Sequence, residues 1–194
     1  MLPRTIVLDT VNKIGQEVRL CGWVNTRRNM GKIIFIDFRD RSGLVQVILG
    51  PKELDEASKE IIKTIRPEFV LEIIGTVNAR PVGQIKKEQP TGAVEIMAKS
   101  VTILSESETP PFEIDNEILQ ANEELRLKYR YLDLRHERMK KNIIIRDKVF
   151  KYFRDYLSQN GFLEIETPIL CKGTPEGARE YLVPSRVYPG QFYV

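Results

Sequence analysis

Phe35, Gln46, Glu95 and the adjacent Arg27 and Arg28 are the side chains of this chain whose types best suit a recognition chemistry. An aromatic ring is a platform for an unstacked nucleic-acid base, and such stacking is worth about 1–3 kcal/mol per base. An amide and a carboxylate hydrogen-bond base edges, and a guanidinium reads an edge or a phosphate. A carboxylate in such a set weakens indiscriminate attraction to phosphate, so the combination fits a reader of particular base edges. Taken singly, Gln46 and Glu95 are ordinary solvated strand residues, Arg27-Arg28 is an ordinary soluble turn, and Phe35 could as well lie under a loop. On one shared surface they would together form a base-reading set.

Other chemistries have less to build on. Cys21 and Cys171 are the only cysteines, and His136 is the only histidine. No CxxC spacing exists, so no zinc site is expected, nor any other metal site. The two cysteines read as reduced thiols of a cytosolic protein. A net charge of +3 says little by itself, because nucleic-acid binding needs a local basic patch. Hydrophobic residues at 42% and charged residues at 29% are an ordinary soluble composition. No apolar run approaches the roughly 20 residues of a membrane helix. Met1 to Thr10 lack the basic start and apolar centre of a signal peptide. A cytoplasmic protein without membrane partners is expected.

The elements that must position the recognition set come from hydrophobic periodicity. Residues 1–105 are rich in short apolar runs with period two. Strands are predicted over Val18 to Arg28, Ile33 to Arg39, Leu44 to Leu49, Phe69 to Ala79 and Val94 to Leu104. An amphipathic helix is predicted over Lys52 to Ile65, with Leu54, Ala57, Ile61 and Ile65 on one face and Pro67 as its stop. Five strands with a helix between the third and fourth fit the OB-fold barrel, although other small β-barrels share that pattern. The alternation sends Ile34, Ile36, Phe38, Val45, Val47, Val94 and Ile96 inward. Phe35, Gln46 and Glu95 then point outward, with Arg27 and Arg28 at the end of the first strand.

Beyond the barrel, Ser105 to about Glu124 holds Pro110-Pro111 among acidic and polar residues and reads as a linker. A long helix is predicted from about Glu137 to Gln159, with Ile145, Val149, Phe153, Tyr156 and Leu157 at helical steps and Asn160-Gly161 as the stop. Phe162 to Thr167 reads as extended, with Pro168 confining it to an edge or strand end. The last residues, Gln191 to Val194, read as entering a strand, so the sequence is expected to be a fragment.

Several collinear segments carry a family resemblance. Leu20-Cys21-Gly22-Trp23-Val24-Asn25, Arg27-Arg28, Gly31, Ile34-Phe35-Ile36-Asp37, Arg39-Asp40-Arg41, Gly43 and Val45-Gln46-Val47 closely resemble the OB domain of aspartyl-tRNA synthetases. Lysyl and asparaginyl enzymes share a looser version. Leu127 to Arg135 is similar to the hinge segment of the bacterial form, whose usual next residue is Arg where this chain has His136. Gly161 to Leu170 fits the first signature motif of class II synthetases. Thr174-Pro175-Glu176-Gly177-Ala178-Arg179 and Val183-Pro184-Ser185-Arg186 resemble the aspartyl-type active-site loop and the strand after it.

The resemblance implies an architecture that is mainly β plus α. Residues 1–105 would be an OB-fold anticodon-binding domain and residues 106–136 a linker and hinge. Residues 137–194 would be the start of a class II α+β catalytic domain, containing motif one and the aspartate loop. Phe35 would stack on the middle anticodon base, Gln46 would hydrogen-bond near it, and Arg28 and Glu95 would contact the flanking bases. Glu176 would pair with the ammonium of aspartate, and Pro168 would shape a homodimer edge. The full enzyme would be an aspartate–tRNA ligase using ATP and magnesium. This stretch contains neither the second nor the third signature motif, so it is expected to hold no catalytic residue, to bind no cofactor and not to aminoacylate alone. A lysyl- or asparaginyl-type fragment, or a free-standing OB module for single-stranded nucleic acid, is the competing reading.

Overall fold

The computed structural model describes residues 2–114, 121–173 and 180–194. The chain divides into two compact units, Met1–Met139 and Lys140–Val194.

In the first unit the period-two segments become β1 (Glu17–Met30), β2 (Ile33–Asp40), β3 (Gly43–Leu49), β4 (Val70–Ala79) and β5 (Val94–Ser105). They close into a barrel in the order β1-β2-β3-β5-β4. Only the β3–β5 seam is parallel. Closure pairs every strand on both sides and removes the exposed edges that an open sheet would present. The inward set is as the alternation predicts: Ile36, Phe38, Val47 and Ile96 are fully buried. Each such side chain contributes about 1.5–3 kcal/mol by leaving water. Curvature needs local irregularity, and Gly75 lies at a register shift between β4 and β5. A Cβ there would come within 2.4 Å of the Met97 carbonyl oxygen, so the close approach of the two strands requires glycine.

Helix α1 (Glu56–Thr64) is shorter than the predicted Lys52 to Ile65, because Asp55 starts it. The Asp55 carboxylate accepts from the Ser58 N–H at 2.7 Å, which satisfies one of the free donors of the first turn. The Ser58 hydroxyl in turn accepts from the Val101 N–H at 2.8 Å and ties α1 to β5. A 3-10 segment at Val7–Asn12 has no period that marks it in the sequence. It is held from outside: Val7 is fully buried, and its N–H donates to Asp40 Oδ2 at 2.9 Å. Partial burial works against charge at Asp40. The Ser42 hydroxyl, the N–H groups of Val7 and Ser42, and Arg4 outweigh it, so the carboxyl sits below its ordinary pKa.

Residues 123–136, where the sequence suggests only a hinge, contain two short helices, α2 (Glu123–Lys128) and α3 (Arg130–Asp133). Asn122 caps α2 by accepting from the Leu125 N–H at 2.9 Å. Asp133 is fully buried and pairs with Arg126 at 2.8 Å and with Arg130. Glu68 lies in the left-handed region at φ 70. Its carboxylate binds Arg39 of β2 and Arg135, each at 2.6 Å. A buried carboxylate shared by two guanidiniums thus fastens the end of this segment to the barrel.

The second unit is built differently. Helix α4 (Glu137–Gln159) has the predicted bounds but no buried residue. The stripe Ile145, Val149, Phe153, Tyr156 and Leu157 is exposed. Gly161, at φ 83, ends the helix while the Phe162 N–H returns to the Leu157 carbonyl at 3.1 Å. Residues 162–173 form no strand, and Pro168 is exposed among them. Two short strands, β6 (Val183–Pro184) and β7 (Phe192–Tyr193), pair antiparallel. Among the described residues no helix is long and apolar enough to cross a membrane.

Candidate nucleic-acid interface

The outer face of the barrel brings Arg28, Phe35, Gln46 and Glu95 together in two adjacent rows. One row runs Arg28–Phe35–Ile48–Met97 across β1, β2, β3 and β5. The next runs Thr26–Asp37–Gln46–Glu95–Asn78 and reaches β4. Directly opposed residues project from the same side of a sheet. Phe35 is half-buried beside Ile48, and its apolar surroundings continue to Met97 in the same row.

A β-bulge puts Arg28 there. Val18, Leu20 and Val24 of β1 point inward and are buried. Strict alternation from Val24 would send Arg28 inward too. The register shifts between Val24 and Thr26, so Asn25 is the extra residue and the parity reverses. Arg28 now stands opposite Phe35, while Arg27 stands opposite the buried Ile36. The two arginines therefore serve opposite sides of the strand, and only Arg28 belongs to the face. Arg27 instead donates to the Ile62 carbonyl of α1 at 3.3 Å.

The charges of the face are paired. Arg28 binds Asp37 at 2.9 Å, and the Thr26 hydroxyl donates to the other Asp37 oxygen at 2.7 Å. Gln46 Nε2 donates to Glu95 Oε2 at 3.1 Å. Arg80 Nε lies 3.7 Å from that same oxygen with its side chain 3% exposed. Arg80 is a neighbour of the candidate site that the sequence reading missed. It stands in a polar Gly/Pro-containing stretch that reads as a solvated loop, and its partner lies on another strand. The arrangement holds a carboxylate in a fixed position to accept from a base edge, beside a ring to stack on and a guanidinium to donate. Surplus positive charge is not a feature of this face.

Glu176 lies outside the described residues. Pro168 belongs to the second unit and shares no element with the face. Among the described residues no group of three or more His, Cys, Asp or Glu could hold a metal ion.

Residues 18–104 match the family described as an OB-fold nucleic acid binding domain, and residues 122–194 match tRNA synthetases class II (D, K and N). A curated relative from Halothermothrix orenii, named aspartate–tRNA(Asp/Asn) ligase, is 54% identical over 95% of this chain and 31% of its own length. One from Ruminiclostridium cellulolyticum, named aspartate–tRNA ligase, is 53% identical over 94% of this chain and 30% of its own. The chain thus spans about 30% of the length of these relatives. The asparaginyl-tRNA synthetase of Pyrococcus horikoshii, solved with asparaginyl-adenylate, superposes with a TM-score of 0.83 at 26% identity. That match covers 100% of this chain and 43% of that one.

Proposed function

The chain belongs to the class II tRNA synthetases of the aspartyl type, and from that premise we propose that its barrel reads the anticodon of the transfer RNA served by an aspartate–tRNA ligase. The single observation that carries this reading is the outer face, where Arg28, Phe35, Gln46 and Glu95 occupy two neighbouring rows. Phe35 stacks on the middle anticodon base, and Gln46 hydrogen-bonds near it. Arg28 and Glu95 contact the flanking bases, with Arg80 and Gln46 holding the Glu95 carboxylate in position. A free-standing OB module would have no use for the class II match over residues 122–194.

Two further roles follow from the family resemblance. Glu176 pairs with the ammonium of aspartate, and Pro168 shapes the edge of a homodimer. The whole enzyme works in the cytoplasm. It joins the aspartate carboxylate to the AMP part of ATP as aspartyl-adenylate, with pyrophosphate leaving, and passes the aspartyl group to the tRNA 3′ end, with AMP leaving. The described residues contain no carboxylate or histidine cluster that fits magnesium.

The test is binding of this chain to two anticodon stem-loops at fixed salt, one GUC and one with the middle U replaced. GUC should bind more tightly, and Phe35→Ala should remove most of that preference by costing about 1–3 kcal/mol of stacking. Equal binding of both stem-loops by the unaltered chain rejects the reading. The name of the Halothermothrix orenii relative, which includes both Asp and Asn, favours a second reading. In it the third base is not discriminated, and a GUU stem-loop should then bind as well as GUC.

A further inference from the structure

The reading face lacks the positive charge that draws in a polyanion, because its guanidiniums are matched by carboxylates. Most nucleic-acid affinity comes from phosphate contacts, while base contacts give selectivity. A phosphate-binding surface should therefore lie next to the face. The other side of the β1–β2 hairpin has the composition for one. There the hairpin and the C-terminal half of α1 enclose an open groove lined by Arg27, Asn29, Lys32, Lys59 and Lys63, with Glu60 as its one carboxylate.

Arg27 is the informative member. Its Nη2 donates to the Ile62 carbonyl at 3.3 Å, yet its Nε is buried with no hydrogen-bond partner. Among the described residues Arg27 makes no ion pair, unlike Arg19, Arg28, Arg39 and Arg80. A guanidinium stays charged at any ordinary pH, so a partly buried one without a counter-ion is costly unless an anion joins it. Lys32, at the hairpin tip, also lacks an ion-pair partner among the described residues. Lys59 and Lys63 pair with Glu56 and Glu60 at 2.5 and 2.6 Å. These are exposed pairs one helical turn apart, which contribute little in water and yield readily to a phosphate.

The bulge links groove and face. Arg27 and Arg28 are consecutive and so emerge on opposite sides of one strand, and the reversal of parity at Asn25 gives Arg28 to the face and Arg27 to the groove. Only the thickness of the hairpin separates Phe35 from the groove, and Gly31-Lys32 is the turn around which a strand would pass.

We propose that the groove between the β1–β2 hairpin and α1 is a second RNA contact, in which Arg27, Lys32, Lys59 and Lys63 take the phosphates of nucleotides flanking the base-reading face. This rests on the RNA-binding reading above but not on which anticodon is preferred. The experiment measures binding of the 194-residue chain to the GUC stem-loop and its middle-base variant from low to moderate salt. Lys59→Ala/Lys63→Ala and Lys32→Ala are compared with Phe35→Ala. The lysine double variant should weaken both RNAs by the same factor and make the salt dependence shallower, by roughly 1.4 in log–log slope. Lys32→Ala should act alike at about half that size. Phe35→Ala should change the preference between the RNAs and leave the slope alone. Unchanged slopes in both lysine variants overturn the groove, as does a loss confined to one RNA. If the unaltered chain shows no preference but the lysine slopes shift, the groove stands and the anticodon reading falls. If neither RNA binds, both fall. Thermal unfolding matched to the unaltered chain guards against misfolding as the cause.

Discussion

The barrel and α4 spend their apolar residues in opposite ways. In the barrel, alternate residues of five strands meet inside a closed surface, and Ile36, Phe38 and Val47 lose all contact with water. In α4 the apolar residues recur just as regularly but cover nothing, and all 23 residues of the helix remain outside any core. A regular pattern therefore states only that a face is apolar. Stability comes when another element covers that face, since helix length and propensity alone make a helix marginal in water.

The sharpest break of this comparison is a pair of identical truncations. Phe38→Ala removes a ring that is 0% exposed, and Phe153→Ala removes one that is 57% exposed. Denaturant unfolding should show the first costing about 3–5 kcal/mol through the cavity it leaves. The second should cost within about 0.5 kcal/mol, as ordinary surface changes do. Equal costs would mean that α4 is packed as tightly as the barrel.

Hydrogen exchange should draw the same line along the backbone with a smaller effect. Amides of β1 to β5 should exchange only through opening of the whole barrel. Those of α4 should open at least about 1.4 kcal/mol more easily, which is tenfold faster exchange. The informative stretch is 123–136. The ion pairs of Glu68 with Arg39 and Arg135 and the buried Asp133 put it with the barrel, so its protection should follow β2 rather than α4.

What the sequence disclosed follows the same logic. Period two assigned Ile36, Phe38, Val45 and Val47 to the core, and with them Phe35 and Gln46 to the outside. Those positions depend only on neighbours one and two residues away. The features it hid depend on partners far along the chain. Reversal of parity at Asn25 is a property of the β1–β2 pairing, and it alone decides that Arg28 and not Arg27 reaches the face. Arg80 is buried beside Glu95, which stands on β5. Glu68 adopts φ 70 with no glycine to announce it, held by arginines from β2 and from residue 135. Val7–Asn12 folds because Asp40 and Ser42 receive its N–H groups.

The smallest effect compares α1 with α4, the two longest helices among the described residues. Helix α1 has nine residues, too few to persist alone, and relies on its cap and on Ile62 and Ser58 packed beneath it. Helix α4 has length and little else. The Asp55 carboxyl is held below its ordinary 3.8 first by the Ser58 hydroxyl and then by the Ser58 N–H. A carboxyl whose pKa is lower folded than unfolded stabilises the fold above the unfolded value. That contribution is lost as the pH falls from the ordinary aspartate range toward the folded pKa, because the unfolded chain takes up the proton first. Asp55→Ala should cost about 1 kcal/mol at neutral pH, the usual worth of an N-cap. The gap between variant and unaltered chain in thermal midpoint should then narrow on acidification below the aspartate range. The helical signal of α4 should show no such dependence on Asp55, since the charge lies on a different unit and its influence is confined to the first turn of α1. A gap that stayed constant down to low pH would mean that the Asp55 side chain supports α1 by packing or shape and not by accepting, as a carboxylate, from Ser58.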